Sequence, residues 1–173
     1  MDRLNRLDRM ILRLATQRDL LRWAASLAAG LPGPVLEFGL GKGRTYDFLR
    51  ALCADREIFA FDRDIHGPAD CVPDPDHLFL GEFDDTLPAA TARLGPVAAL
   101  AHVDVGSEDR AADARLVAWL GLAVAPLLRP GALVVADRAM TVDGWRRLDP
   151  PDAGDGDHHV YRVAMFDYRT STK

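Results

Sequence analysis

Three alternating glycines and five acids carry the chemistry that can be read from this chain. The glycines, Gly39, Gly41 and Gly43, fall within Val35-Leu36-Glu37-Phe38-Gly39-Leu40-Gly41-Lys42-Gly43-Arg44-Thr45. A turn without side chains lets the backbone approach a ligand closely. The free N–H groups of a helix that starts there point into the same space. The acids are Glu37, Asp62, Glu82, Asp104 and Asp137, and each lies at the end of a short apolar run. Asp62 follows Gly43 by 19 residues. A carboxylate so placed accepts hydrogen bonds from the two ribose hydroxyls of an adenosine cofactor.

The glycine spacing narrows the cofactor. A dinucleotide site uses G-x-G-x-x-G. Here the pattern is G-x-G-x-G, and Arg44 occupies the place of the last glycine of the dinucleotide motif. Glu37 beside the turn would repel a pyrophosphate and favour a cationic amine. A ligand with an amino-acid end suits the stretch better, its amine towards Glu37 and its carboxylate towards the helix N–H groups or Arg44.

The elements that must position these groups follow from the periodicity. Leu4, Leu7, Ile11 and Leu14 mark one face of a helix, and Leu20, Leu21, Ala24 and Leu27 resume it after Thr16-Gln17-Arg18-Asp19. Two helices or one kinked helix fit this pattern equally, and Gly30 and Pro32 end it. From Pro34 strands and helices alternate: strands over 35–38, 58–61, 77–80, 97–103 and 132–136, helices over 46–54, 87–94 and 111–128. Such alternation predicts βαβ units, hence an α/β doubly wound, mostly parallel sheet. The apolar strands suit burial on both faces. Residues 159–166 alternate as a last, antiparallel strand at the edge. Ligands bind such sheets beyond the carboxyl ends of the strands, where all five acids fall.

With 173 residues, 49% of them hydrophobic and 27% charged, the chain suits a single globular domain: a helical segment over 1–30 and a core over 31–173. Cys53 and Cys71 suggest no disulfide framework, and the expectation is reduced thiols in a cytoplasmic protein. Net charge is −5, which points away from a nucleic-acid footprint, although residues 1–30 carry +3 and the remainder −8. No apolar run approaches membrane-spanning length. Asp8, Arg9, Arg13, Arg18 and Asp19 interrupt any signal-peptide pattern. The N-terminal helix is the one spare element, read as a lid or as the surface of a homodimer.

The chain resembles the class I S-adenosylmethionine-dependent methyltransferases. The resemblance rests on Glu37-Phe38-Gly39-Leu40-Gly41-Lys42-Gly43, Phe59-Ala60-Phe61-Asp62, Gly81-Glu82-Phe83, His102-Val103-Asp104 and the run from Leu127 to Val135, and spans Val35 to Asp137. It implies a Rossmann-like methyltransferase core and S-adenosyl-L-methionine as cofactor. Gly39, Gly41 and Gly43 would pass under the methionine portion, with Glu37, Phe38, Arg44 and Thr45 beside it. Asp62 would hold the ribose, Gly81 and Glu82 would meet the adenine amino group, Phe83 would flank the ring and Arg63 would cover it. Asp104 would lie near the methionine end of the cofactor, facing the acceptor. Some small-molecule O-methyltransferases of this type hold magnesium with an aspartate after the fourth strand and an adjacent Asp-Asp or Asp-Asn pair after the fifth. Asp104 and Asp137 match two of these positions, but the third is Arg138, so no metal is expected.

Methyl transfer is an in-line displacement in which positive charge on sulfur disappears, so alignment is the main demand on the protein. A base is needed only where the nucleophile must lose a proton, and none is identified from sequence. His102 shares a strand face with Asp104 and reads as a hydrogen-bonded core histidine; His158-His159 reads as solvated. The expected reaction is transfer to a small-molecule acceptor. Two alternatives remain: a non-catalytic S-adenosylmethionine-binding regulatory or assembly protein, and an NAD-type oxidoreductase.

Overall fold

Asn5 starts the first helix, its side chain accepting a hydrogen bond from the Asp8 N–H at 2.9 Å. The computed structural model describes residues 4–106, 110–151 and 158–165. The N-terminal stretch is one continuous helix, α1 (Arg6–Ala28), and Thr16-Gln17-Arg18-Asp19 lies within it. Its last turn leaves carbonyls that Arg56 satisfies, donating to Ala28 at 2.9 Å while its other terminal nitrogen donates to Gly33 at 2.9 Å. That guanidinium ties the end of α1 to the approach of the first strand.

The core then runs β1 (Val35–Phe38), α2 (Arg44–Leu52), β2 (Ile58–Asp62), β3 (Leu78–Leu80), α3 (Phe83–Leu94), β4 (Ala98–Val103), α4 (Arg110–Val124), β5 (Leu128–Ala136), β6 (Trp145–Leu148) and β7 (His159–Val163). The described strands form one seven-stranded sheet in the order β3-β2-β1-β4-β5-β7-β6. β1 to β5 are mutually parallel, whereas β7 pairs antiparallel with β5 and β6 antiparallel with β7. The expected antiparallel edge is therefore a pair, and Trp145–Leu148, which reads as irregular in sequence, is the outermost strand. β5 is also longer than expected. Pro130 and Gly131 do not end in a turn but form an irregularity inside the strand, where the register with β4 jumps between Ala98↔Leu128 and Leu100↔Leu133.

Strand alternation divides the core in two. Leu36 and Phe38 join Phe61, Leu120 and Val124 on the face covered by α3 and α4. Val35 points the other way, with Leu100, Val135, Leu21 and Leu49 beneath α1 and α2. Trp23 packs on this second cluster. Only the second half of α1 is buried, through Gln17, Leu20, Leu21, Ala24 and Ala28. The stripe expected to face inward from the first half does not: Leu7 is 67% exposed and Ile11 57%. This half of α1 extends past the sheet and over the carboxyl ends of its strands. No described helix is long and apolar enough to cross a membrane.

Candidate active site

The parallel register sets the site. Glu37 on β1 lies beside His102 on β4, and His102 beside Val135 on β5. The next residues leave the sheet together: the Asp104 N–H donates to the Phe38 carbonyl and the Asp137 N–H to the Val103 carbonyl, both at 3.0 Å. The glycine turn follows β1, and its Gly39 N–H donates to the Phe61 carbonyl at 2.9 Å.

The three glycines have different duties. All have positive φ, but a Cβ on Gly39 would stand 2.2 Å from the Asp104 carbonyl oxygen, and one on Gly43 would stand 2.5 Å from that of Cys71. Both are required by neighbouring backbone. A Cβ on Gly41 would meet nothing within 4 Å, so Gly41 alone borders open space.

That space is a cavity of about 1050 Å³ between α1 and the strand ends. It is lined by Gly39, Gly41, Arg44, Thr45 and Asp104 among the sequence-predicted residues, and also by Arg13, Gln17, Asp137, Arg138 and His158. Asp62, Arg63, Gly81, Glu82 and Phe83 lie outside this lining and form a second locus beside the turn. Asp62 joins the two: its Oδ2 accepts from the Gly41 N–H at 2.8 Å and its Oδ1 from the Arg63 N–H at 2.7 Å. The Gly81 N–H donates to the Asp62 carbonyl at 2.9 Å. Arg63 and Glu82 are exposed, with 3.8 Å between guanidinium and carboxylate. Phe83 packs edge-on against Phe38, with ring centroids 6.2 Å apart.

Glu37 differs from its expected place. It is fully buried and does not line the cavity. One carboxylate oxygen accepts from the Thr45 hydroxyl and the other from His102 Nδ1 at 2.8 Å. The strand alternation is the cause, since Glu37 shares its face with Val35 and is covered by α1 and α2. Gln17 extends the chain of contacts. Its amide nitrogen donates to Asp104 Oδ2 at 2.7 Å and lies 3.1 Å from His102 Nε2. Donation to both leaves Nε2 as the acceptor and places the imidazole proton on Nδ1, towards Glu37. Arg13 completes the run with a 2.6 Å ion pair to Asp104. A polar chain therefore runs Thr45–Glu37–His102–Gln17–Asp104–Arg13, from the glycine turn to α1. Sequence reading missed Arg13 and Gln17, although the polar break at Thr16–Asp19 in an apolar stripe was the signal for Gln17.

The two aspartates at the ends of β4 and β5 have opposed environments. Burial pushes the Asp104 carboxyl up, but Arg13, His102 and Gln17 outweigh it and hold it below the usual range. Asp137 is raised to about 6, by burial first and then by the charge of Asp104. Arg138 opposes this weakly. Its Nε is 3.8 Å from Asp137, while its Nη2 is 2.7 Å from Asp113. A guanidinium so close disfavours a dication between Asp104 and Asp137, and no three His, Cys, Asp or Glu side chains gather into a metal-binding group among the described residues. His158, expected in solvent, is only 7% exposed. Burial and the charge of Arg13 lower its pKa to about 4.

The raised Asp137 gives a stability prediction. An unfolded carboxyl titrates at about 3.9, so the folded state binds this proton more tightly. The contribution is present in full below pH of about 4 and is lost as pH rises through about 6. Asp137→Asn removes a charge that the fold disfavours. It is expected to raise the melting temperature at pH of about 7.5 more than at pH of about 4.5. Equal shifts in scanning calorimetry at the two pH values would contradict the assignment.

Comparison with known proteins adds three findings. A family profile described as S-adenosyl-L-methionine methyltransferase matches residues 4–163. The structure of an S-adenosyl-L-methionine methyl transferase from Silicibacter pomeroyi DSS-3 is 38% identical, with a TM-score of 0.88, over 94% of this chain and 100% of that one. A candidate caffeoyl-CoA O-methyltransferase from Staphylococcus aureus shares the fold, with a TM-score of 0.56 at 11% identity over 94% of this chain and 85% of that one. A search of curated proteins gave no match.

Proposed function

The chain belongs to the S-adenosyl-L-methionine methyltransferase family, and from that premise we propose that it methylates a small-molecule acceptor held between α1 and the carboxyl ends of β4 and β5. The observation that carries this reading is the position of α1. It lies over the strand ends and is pinned there by Arg13 and Gln17 to Asp104. A cavity of about 1050 Å³ roofed by a helix admits a cofactor end and a compact second ligand. The net charge of −5 argues against a polyanionic acceptor.

In this reading S-adenosylmethionine supplies an activated methyl group, and the chain binds, orients and excludes water. Asp62 holds the ribose, with Arg63, Gly81, Glu82 and Phe83 around the adenine. Gly41 gives the methionine portion its close approach to the backbone, and Arg44 takes its carboxylate. Glu37 acts at one remove, by fixing Thr45 and His102. Within the N-terminal segment, the first half of α1 serves as the lid. The homodimer expected from sequence would cover the exposed outer half of α1, and light scattering on the eluted protein would reveal it.

The acceptor class is tested with methyl-labelled S-adenosylmethionine and the small-molecule, RNA and protein fractions of a cell extract. Label is expected in the small-molecule fraction. Label confined to RNA or protein sinks the small-molecule reading and leaves the family assignment standing.

A further inference from the structure

The corner of the cavity between β5 and β7 holds polar atoms of Asp137 and His158 that no described residue satisfies. Asp137 follows Ala136, which pairs with His159, so the antiparallel register sets Asp137 opposite His158. Both line the cavity. The Asp137 side chain is 9% exposed, yet its Oδ1 has no hydrogen-bond partner, and neither ring nitrogen of His158 has one among the described residues. Buried polar atoms are almost always paired, and an orphan acceptor beside orphan imidazole nitrogens marks a place for a polar ligand.

We propose that Asp137 is the general base of the methyl transfer, taking the proton of an acceptor O–H or N–H seated between it and His158. The proposal rests on the small-molecule reading above. In the step, the acceptor oxygen or nitrogen forms a bond to the methyl carbon, and the carbon–sulfur bond breaks with its electron pair passing to sulfur. The products are S-adenosylhomocysteine and the methylated acceptor, whose proton moves to Asp137 Oδ1. His158 holds the acceptor by a hydrogen bond.

The other titratable groups at this end are less suited. Asp104 is taken by Arg13 and Gln17, and His102 is fully buried between Glu37 and Gln17. The charged groups acting on Asp137 are Asp104 just after β4, His102 on β4, Arg13 from α1 and Arg138, itself paired with Asp113, while His158 and His159 line the same cavity at the start of β7. Burial and the charge of Asp104 bring Asp137 to about 6, close to the pH at which it must work, whereas His158 at about 4 stays neutral.

Two measurements test the assignment. The first reads S-adenosylhomocysteine formed with phenol, which arrives protonated, and with 4-nitrophenol at a pH where it is already a phenolate. Asp137→Asn is expected to lower kcat/KM on phenol by about 100-fold or more, and on the phenolate by at least about tenfold less. Equal losses on the two, or none, overturn the proposal. The second needs no acceptor: the Asp137 carboxyl, identified by its loss in Asp137→Asn, is followed by carbon NMR. Titration near 6, moving down in Asp104→Asn, supports the proposal, and titration below about 5 overturns it. Calorimetry with S-adenosylhomocysteine separates the two levels. If the parent protein binds it while the phenol result fails, only the base assignment falls. If the parent does not bind it, the methyltransfer reading falls and the base with it.

Discussion

Glu37→Ala is expected to destabilise the fold by about 3 kcal/mol, read as a fall in the denaturation midpoint of the ligand-free protein. Glu37 and His102 are both fully buried and lie 2.8 Å apart on neighbouring strands. Removing the carboxylate leaves the His102 Nδ1–H without an acceptor in a site that water does not reach. It also strands the Thr45 hydroxyl at the start of α2 and opens a void under α1. Glu37→Gln keeps an acceptor for His102 and a donor for Thr45, so it is expected to cost clearly less. The contrast with a ligand-contacting role is direct. If Glu37→Ala unfolds at the same denaturant concentration as the parent while S-adenosylmethionine affinity collapses, Glu37 touches the ligand and the structural account is wrong.

The consequence reaches further than stability. The chain Thr45–Glu37–His102–Gln17–Asp104–Arg13 has the glycine turn at one end and α1 at the other. Each member is held by the next, so the angle of α1 over the cavity depends on the proton position of His102 and on the charge of Asp104. A polar network of this kind specifies one arrangement when complete and loosens when any member is removed. Arg13 and Gln17 thus act on the cavity through Asp104, and the basic N-terminal segment has a use inside this chain.

Sequence reading recovered the mostly parallel sheet and the acids at or just after the ends of β2 to β5, because each is a local pattern: an apolar run, then a carboxylate. It set Glu37 towards a ligand amine because a carboxylate beside the glycine turn favours a cation. Whether it faces the cavity or the helices depends on one step of strand alternation and on what covers that face, which only the packed fold determines. The same limit hid His158. A histidine after a loop of proline, glycine and aspartate reads as solvated, but antiparallel pairing carries it opposite Asp137 under cover. The first half of α1 failed in the opposite direction. Leu7 and Ile11 have the spacing of a core face, yet the sheet ends before they reach it. β6 carried almost no signal, since Trp145-Arg146-Arg147-Leu148 is half polar and pairs on one side only.

The remaining large effect concerns Asp62. Its carboxylate accepts from the N–H groups of Gly41 and Arg63, at 2.8 and 2.7 Å, and so joins the glycine turn to the end of β2. The Asp64 N–H also donates to Oδ1, at 3.3 Å, so of the about four lone-pair sites of a carboxylate one remains for a ribose hydroxyl. Hydrogen bonds to a charged group contribute about 1.5–3 kcal/mol each. Asp62→Ala is therefore expected to weaken S-adenosylmethionine binding by at least about 10- to 100-fold in calorimetric titration. Part of that loss would come from a slackened turn, because Gly41 loses the acceptor that fixes its N–H. Adenosine alone separates the parts, since it carries the ribose but has no methionine portion to lie along the turn. An equal fold-loss for adenosine and for S-adenosylmethionine assigns the effect to the ribose contact. A loss confined to S-adenosylmethionine assigns it to the turn. Unchanged affinity for both removes Asp62 from the cofactor site altogether.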